Sequence, residues 1–111
     1  MRKCIVGLVQ VLSAMPATAQ TIDEHTTCAV VSTIYNAPQV DLLKVRAVGK
    51  YVESVFSAMD HKNAAEGRPQ IIARMSTDGL IKTLATIPAW CNQHPEETLW
   101  QSAINVYEGL K

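Results

Sequence analysis

The sequence of 111 residues contains no apolar run long enough to cross a bilayer, no basic cluster, no internal repeat and no low-complexity tract. It also lacks alternating apolar and polar stretches bounded by turns. Each absence removes a class of protein. The apolar stretch from Cys4 to Leu12 is far short of the roughly 20 residues a transmembrane helix needs. Beyond Arg2 and Lys3 the basic residues stand singly, without the basic face or interleaved aromatics that tracking a phosphate backbone requires, so nucleic acid is not an expected partner. No strand-type alternation supports a sheet. Ser32, Ser54, Ser57, Ser76 and Ser102 lie in no nucleophile-elbow context, and Ser13 falls in the opening segment. Neither an enzyme nor a cofactor is expected.

What is present begins at the N-terminus. Arg2 and Lys3, the stretch Cys4 to Leu12, and Ala17-Thr18-Ala19 have the layout of a cleavable secretory signal, with cleavage before Gln20. Residues 1–19 are therefore read as a signal peptide and 20–111 as a single exported domain, periplasmic or secreted. Cys4 lies too early in the apolar stretch to accept a lipid, so no membrane anchor is expected. The exported part carries eight basic side chains against ten carboxylates, a balance of −2. At this size a single core is marginal and commonly needs a covalent staple. Cys28 and Cys91 remain once Cys4 leaves with the signal, and an even pair in an oxidising compartment reads as one disulfide. The loop closed, of about 64 residues, makes that bond worth roughly 4 kcal/mol on a chain-entropy estimate.

The apolar spacing predicts an all-α fold, a small bundle of about four helices cross-linked by that disulfide. After a polar, loosely held arm from Gln20 to Thr26, Thr26 or Thr27 caps a first helix that Asn36 ends. Pro38 suits a first turn, so the second helix is expected from Ala37 to Gln39 onward to about Asp60. Val40, Leu43, Ala47, Val48, Tyr51, Val52, Val55, Phe56 and Met59 give it a core face, with Asp41, Lys44, Lys50 and Glu53 opposite in solvent. A loop is expected from His61 to Pro69, and a short helical turn around Ile71, Ile72 and Met75. Ser76 or Asp78 caps a third helix that should bend or break at Pro88. Pro95-Glu96-Glu97 reads as the opening of the last helix, proline first and carboxylates beside the positive end of the macrodipole.

Few residues offer chemistry. His25-x-x-Cys28 with Cys91-x-x-His94 would supply two thiolates and two imidazoles, a zinc set, but an oxidising compartment favours the disulfide, and no metal is expected. His61 and His94 are candidate proton sensors, imidazole titrating between about pH 5 and 8, although the plainer reading, exposed loop residues, is preferred. Asp78, Glu96 and Glu97 are each explained as helix-terminus residues. Trp90 and Trp100 are expected around the disulfide, either one serving as a partner anchor if exposed. Val40, Val48, Tyr51, Val52, Phe56 and Trp100 form the candidate apolar surface, a homodimer seam or a client-binding face.

Thr27-Cys28 opening the first helix, Ala85-Thr86-Ile87-Pro88 leading into Cys91, and the terminal Cys-x-x-x-Pro followed by Glu-Glu-Thr-Leu carry a resemblance. With the signal and the short helical domain, this layout resembles the HdeA/HdeB-type family of small periplasmic acid-stress chaperones. Ala29, Val30 and Val31 stand where the family usually has acidic residues after its first cysteine, and no lysine-rich tail follows Lys111. The resemblance implies a neutral-pH dimer that loosens in acid and binds unfolding periplasmic proteins through newly exposed apolar surface. Charge arithmetic is compatible with this, because protonating ten carboxylates and three histidines moves the balance from −2 to +11. The alternative expectation is a small disulfide-linked immunity or inhibitor protein that binds one secreted effector; Gly49-Lys50-Tyr51 faintly resembles the glycine-tyrosine helix of such proteins.

Overall fold

Four short side chains decide where the helices start, because the first N–H groups of a helix have no acceptor within it. In the computed structural model, which describes residues 21–111, Thr27 accepts from the Val30 N–H and opens α1, Cys28–Tyr35. Asp41 accepts from Leu43 and Lys44 and opens α2, Leu42–Ala65. Ser76 accepts from Gly79 and opens α3, Thr77–Gln93, after a 3-10 turn at Ile72–Arg74. Thr98 and Gln101 form a reciprocal capping box that opens α4, Leu99–Glu108. The protein is an all-α bundle cross-linked by Cys28–Cys91, and no strand occurs among the described residues. The signal peptide expected over residues 1–19 lies outside the described residues.

Three boundaries differ from the sequence-based expectation, each for a local reason. Helix α2 starts at Leu42, not at Ala37 to Gln39, because the Asp41 carboxylate caps more strongly than Pro38 initiates; Asp41 is a cap rather than a residue of the outer face. The same helix runs past Asp60 to Ala65, so the first half of the expected His61–Pro69 loop is helical. Buried Asn63 explains this, its amide donating to the Tyr107 hydroxyl at 2.9 Å and the Pro69 carbonyl at 3.2 Å. Gly67 then reverses the chain at φ +74°, a conformation L side chains rarely adopt. The last helix opens at Leu99, because the Thr98–Gln101 box outcompetes Pro95-Glu96-Glu97, which forms the preceding turn.

Helix α3 continues through Pro88 without a break. The missing N–H costs about 3 kcal/mol in an isolated helix, but Ile87 and Cys91 on either side are fixed in the core. The polar arm is also not loose. Thr26 is buried, its hydroxyl accepts from the Asp23 N–H, and Ile22 packs on the core.

Helix α2 packs mainly on α4, α1 on α3, and α3 on α4. Val48, Val52, Val55 and Phe56 meet Leu99, Ala103 and Tyr107 in a single core with Val31, Ile34 and Ile87, and the Phe56 and Tyr107 rings lie 5.9 Å apart. The disulfide joins the first residue of α1 to the last turn of α3 and is fully buried. Beside it, Cys28 N–H donates to the Glu97 carbonyl at 2.8 Å and Leu99 N–H to the Thr26 carbonyl at 2.7 Å. That antiparallel bridge, Thr27 to Thr98, starts α1 and α4 side by side.

Candidate functional site

The helical spacing of α2 gives it a flank, beside the core stripe, that α4 covers only in part. There Tyr51, Met59, Trp100 and Ile104 line a groove of about 930 Å³, with Glu24 and Lys62 also in its wall. Trp100 is 47% exposed. The Tyr51 hydroxyl is pushed up by burial and then by the negative charges of Glu24 and Asp23. A second apolar patch lies where α2 begins, with Val40 43% exposed and Leu42 and Leu43 75% exposed.

These positions correct the sequence-based surface. Val48, Val52 and Phe56, expected as a dimer or client surface, are essentially inaccessible core residues, because α4 and α1 close over that stripe of α2. Leu43, expected in the core, is exposed, since the core begins one turn further along the helix. Tyr51 is half-buried, and Val40 and Trp100 remain accessible. Trp90 is half-buried, stacked on His94 with centroids 4.3 Å apart.

Two acidic side chains organise the interior. Asp60 is only 5% exposed, yet its carboxylate accepts from the backbone N–H groups of Ile71, Ile72 and Ala73 at 2.9, 3.2 and 2.8 Å. It also accepts from the Tyr107 hydroxyl. It therefore ties α2, the 3-10 turn and α4 together. Burial pushes this carboxyl up, and the Tyr107 hydroxyl with the three N–H groups more than offsets that, leaving it below its ordinary value. The Tyr107 hydroxyl is in turn pushed up to about 12, by burial and by Asp60.

Glu97 plays the corresponding part near the disulfide. Its carboxylate accepts from Trp90 Nε1 at 2.9 Å and Ser102 Oγ at 3.1 Å, and Ser102 Oγ lies 3.0 Å from Cys28 Sγ. The Trp90 bond, helped by Ser102, His94 and Asn105, outweighs burial and holds the carboxyl below its ordinary value. Glu97 is thus not a helix-dipole residue, the role expected of it. Both carboxylates stabilise the fold at neutral pH, and that contribution is lost as pH falls through their folded values.

The signal for Asp60 was present in the spacing: Val52, Phe56, Asp60 and Asn63 continue one stripe of α2 at helical intervals, so a buried carboxylate follows from the helix continuing. For Glu97 no local signal exists, since its partners come from α3 and α4.

The candidate proton sensors are not brought into contact. His61 is exposed on α2, whereas His94 caps α3 with its ring nitrogen 2.9 Å from the Trp90 carbonyl. The zinc-type pattern has no free thiolate to offer, because both sulfurs are joined to each other, and His25 is exposed. No protein-family model, curated protein or solved structure matches the chain.

Proposed function

We propose that this chain is an HdeA-like, non-enzymatic periplasmic protein that binds unfolding proteins during acid stress. The observation that carries the reading is the division of the interior between a bond that acid does not touch, Cys28–Cys91, and two carboxylate hubs that acid discharges. Protonated Asp60 no longer accepts at both oxygens, so the 3-10 turn and α4 loosen from α2 while the disulfide limits expansion. The apolar lining of the groove, with Leu42 and Leu43, is the surface already available to a client.

The test is a titration of the oxidised protein from pH 7 to pH 2, with oligomeric mass, dye-accessible apolar surface and suppression of client aggregation measured in the same samples. The expected outcome is new apolar exposure and client protection together. Absence of protection at every pH between 2 and 5 overturns the activity.

One observation favours a second reading, a single neutral-pH protein partner. Gly49 lies inside α2 with open space around the position of a β-carbon, so nothing in the single chain explains why a residue costing about 1 kcal/mol in a helix occurs there. A partner backbone resting on it would. Capture of one stoichiometric protein at pH 7, abolished by Gly49→Leu, supports this reading over a broad client range.

A further inference from the structure

A second concavity, lined by none of the residues of the groove, lies between the end of α2, the 3-10 turn and the C-terminus. It measures about 490 Å³, within the roughly 300–1,000 Å³ of small-molecule sites. Pro69, Ile71 and Leu110 supply an apolar lining, and Arg68, Arg74 and Lys111 bring three cations to the same pocket. No aspartate or glutamate lines it. Arg68 pairs with Glu66 and Lys111 with Glu108, both outside the lining, while Arg74 has no ion pair among the described residues. The wall at Ile71 is fixed from behind, where the Asp60 carboxylate accepts from the N–H groups of Ile71, Ile72 and Ala73. That carboxylate accepts from these donors and from Tyr107 and makes no ion pair with Arg74.

We infer that this pocket binds a small amphipathic anion, a carboxylate carrying a hydrocarbon chain, with the chain against Ile71 and Leu110 and the head group on Arg74. An arginine fork matches a carboxylate in two parallel hydrogen bonds, and the apolar lining rewards a hydrocarbon that a simple inorganic anion lacks. The ligand class follows from combining the two, since an apolar pocket alone would take an alcohol equally well. The pocket's size fits a small molecule better than the extended groove a peptide requires. The pocket belongs to the intact fold at neutral pH and is independent of the acid-stress reading.

The experiment is calorimetric titration of the oxidised protein at pH 7 with dodecanoate, kept below its micelle concentration. Dodecanol and dodecyltrimethylammonium serve as uncharged and cationic controls. Saturable one-to-one binding of dodecanoate is expected, at least tenfold tighter than either control. Arg74→Glu, at a side chain with no ion pair to lose among the described residues, should weaken it at least tenfold with the circular dichroism spectrum unchanged. Lys62→Glu, the same charge change beside the groove, should leave it intact. Non-saturable uptake, equal binding of dodecanol, or equal loss in the two variants each overturns the inference.

Discussion

The two ends of the bundle are held by different chemistry. At one end the chain is closed by a covalent bond, two backbone hydrogen bonds between the segments before α1 and α4, and Glu97 bridging Trp90 to Ser102. At the other there is no covalent link among the described residues, and Asp60 alone gathers three backbone N–H groups and a tyrosine. The first end keeps its covalent bond in acid even when Glu97 is discharged, and depends on redox state, whereas the second is indifferent to redox state and depends on a charge. Opening is therefore expected to begin at the Asp60 end and stop at the disulfide, a polarised response that summed surface charge does not provide.

The largest perturbation should be loss of the covalent end. Replacing both Cys28 and Cys91 with serine is expected to cost about 4 kcal/mol, a large part of a small domain's net stability, read as a fall in urea midpoint. If that variant lost stability mainly below pH 4 instead of uniformly with pH, the separation of the two ends would be wrong. Next comes the charged end. Asp60→Asn should cost about 2 kcal/mol at pH 7, because one acceptor site and the charge are lost. The deficit should shrink as pH falls towards 2, through the carboxyl's lowered folded value, since the native side chain then becomes neutral as well. Glu97→Gln should follow the same course at about 1 kcal/mol, having fewer donors to disappoint. Urea titrations at pH 7 and pH 2 decide the matter, and parallel stability–pH curves for the native protein and the Asp60→Asn variant would contradict the carboxylate's role. The smallest effect is a gain. Gly49→Ala should stabilise α2 by about 0.5–1 kcal/mol in thermal unfolding, since the added methyl meets nothing in the single chain.

The helices themselves were legible because periodicity and caps are local: Thr27, Ser76 and the repeating apolar positions of α2 place three elements within a few residues of where they lie. The Cys28–Cys91 pairing followed from counting cysteines, with residues 1–19 read as a signal. Tertiary structure decided the remainder. Pro88 reads as a break until Ile87 and Cys91 are found in the core on either side of it. Val48, Val52 and Phe56 look like surplus apolar surface until α4 covers them, and Leu42 looks unremarkable until nothing does. The Glu97 hub depends on three segments meeting, and the cations of the small pocket are apart in sequence and share one cavity only once Asp60 has pinned the 3-10 turn.

The sulfur–sulfur bond also sets a limit on reach. It spans 63 positions from Cys28 to Cys91, so stretching the oxidised chain between Thr21 and Lys111 straightens only the segments outside that loop, to roughly 100 Å at full extension. The reduced chain could extend to roughly 300 Å. Between Thr21 and Lys111 an opened, oxidised chain is thus a closed ring of 63 positions flanked by shorter segments, shaped to wrap locally around another chain rather than to thread along it.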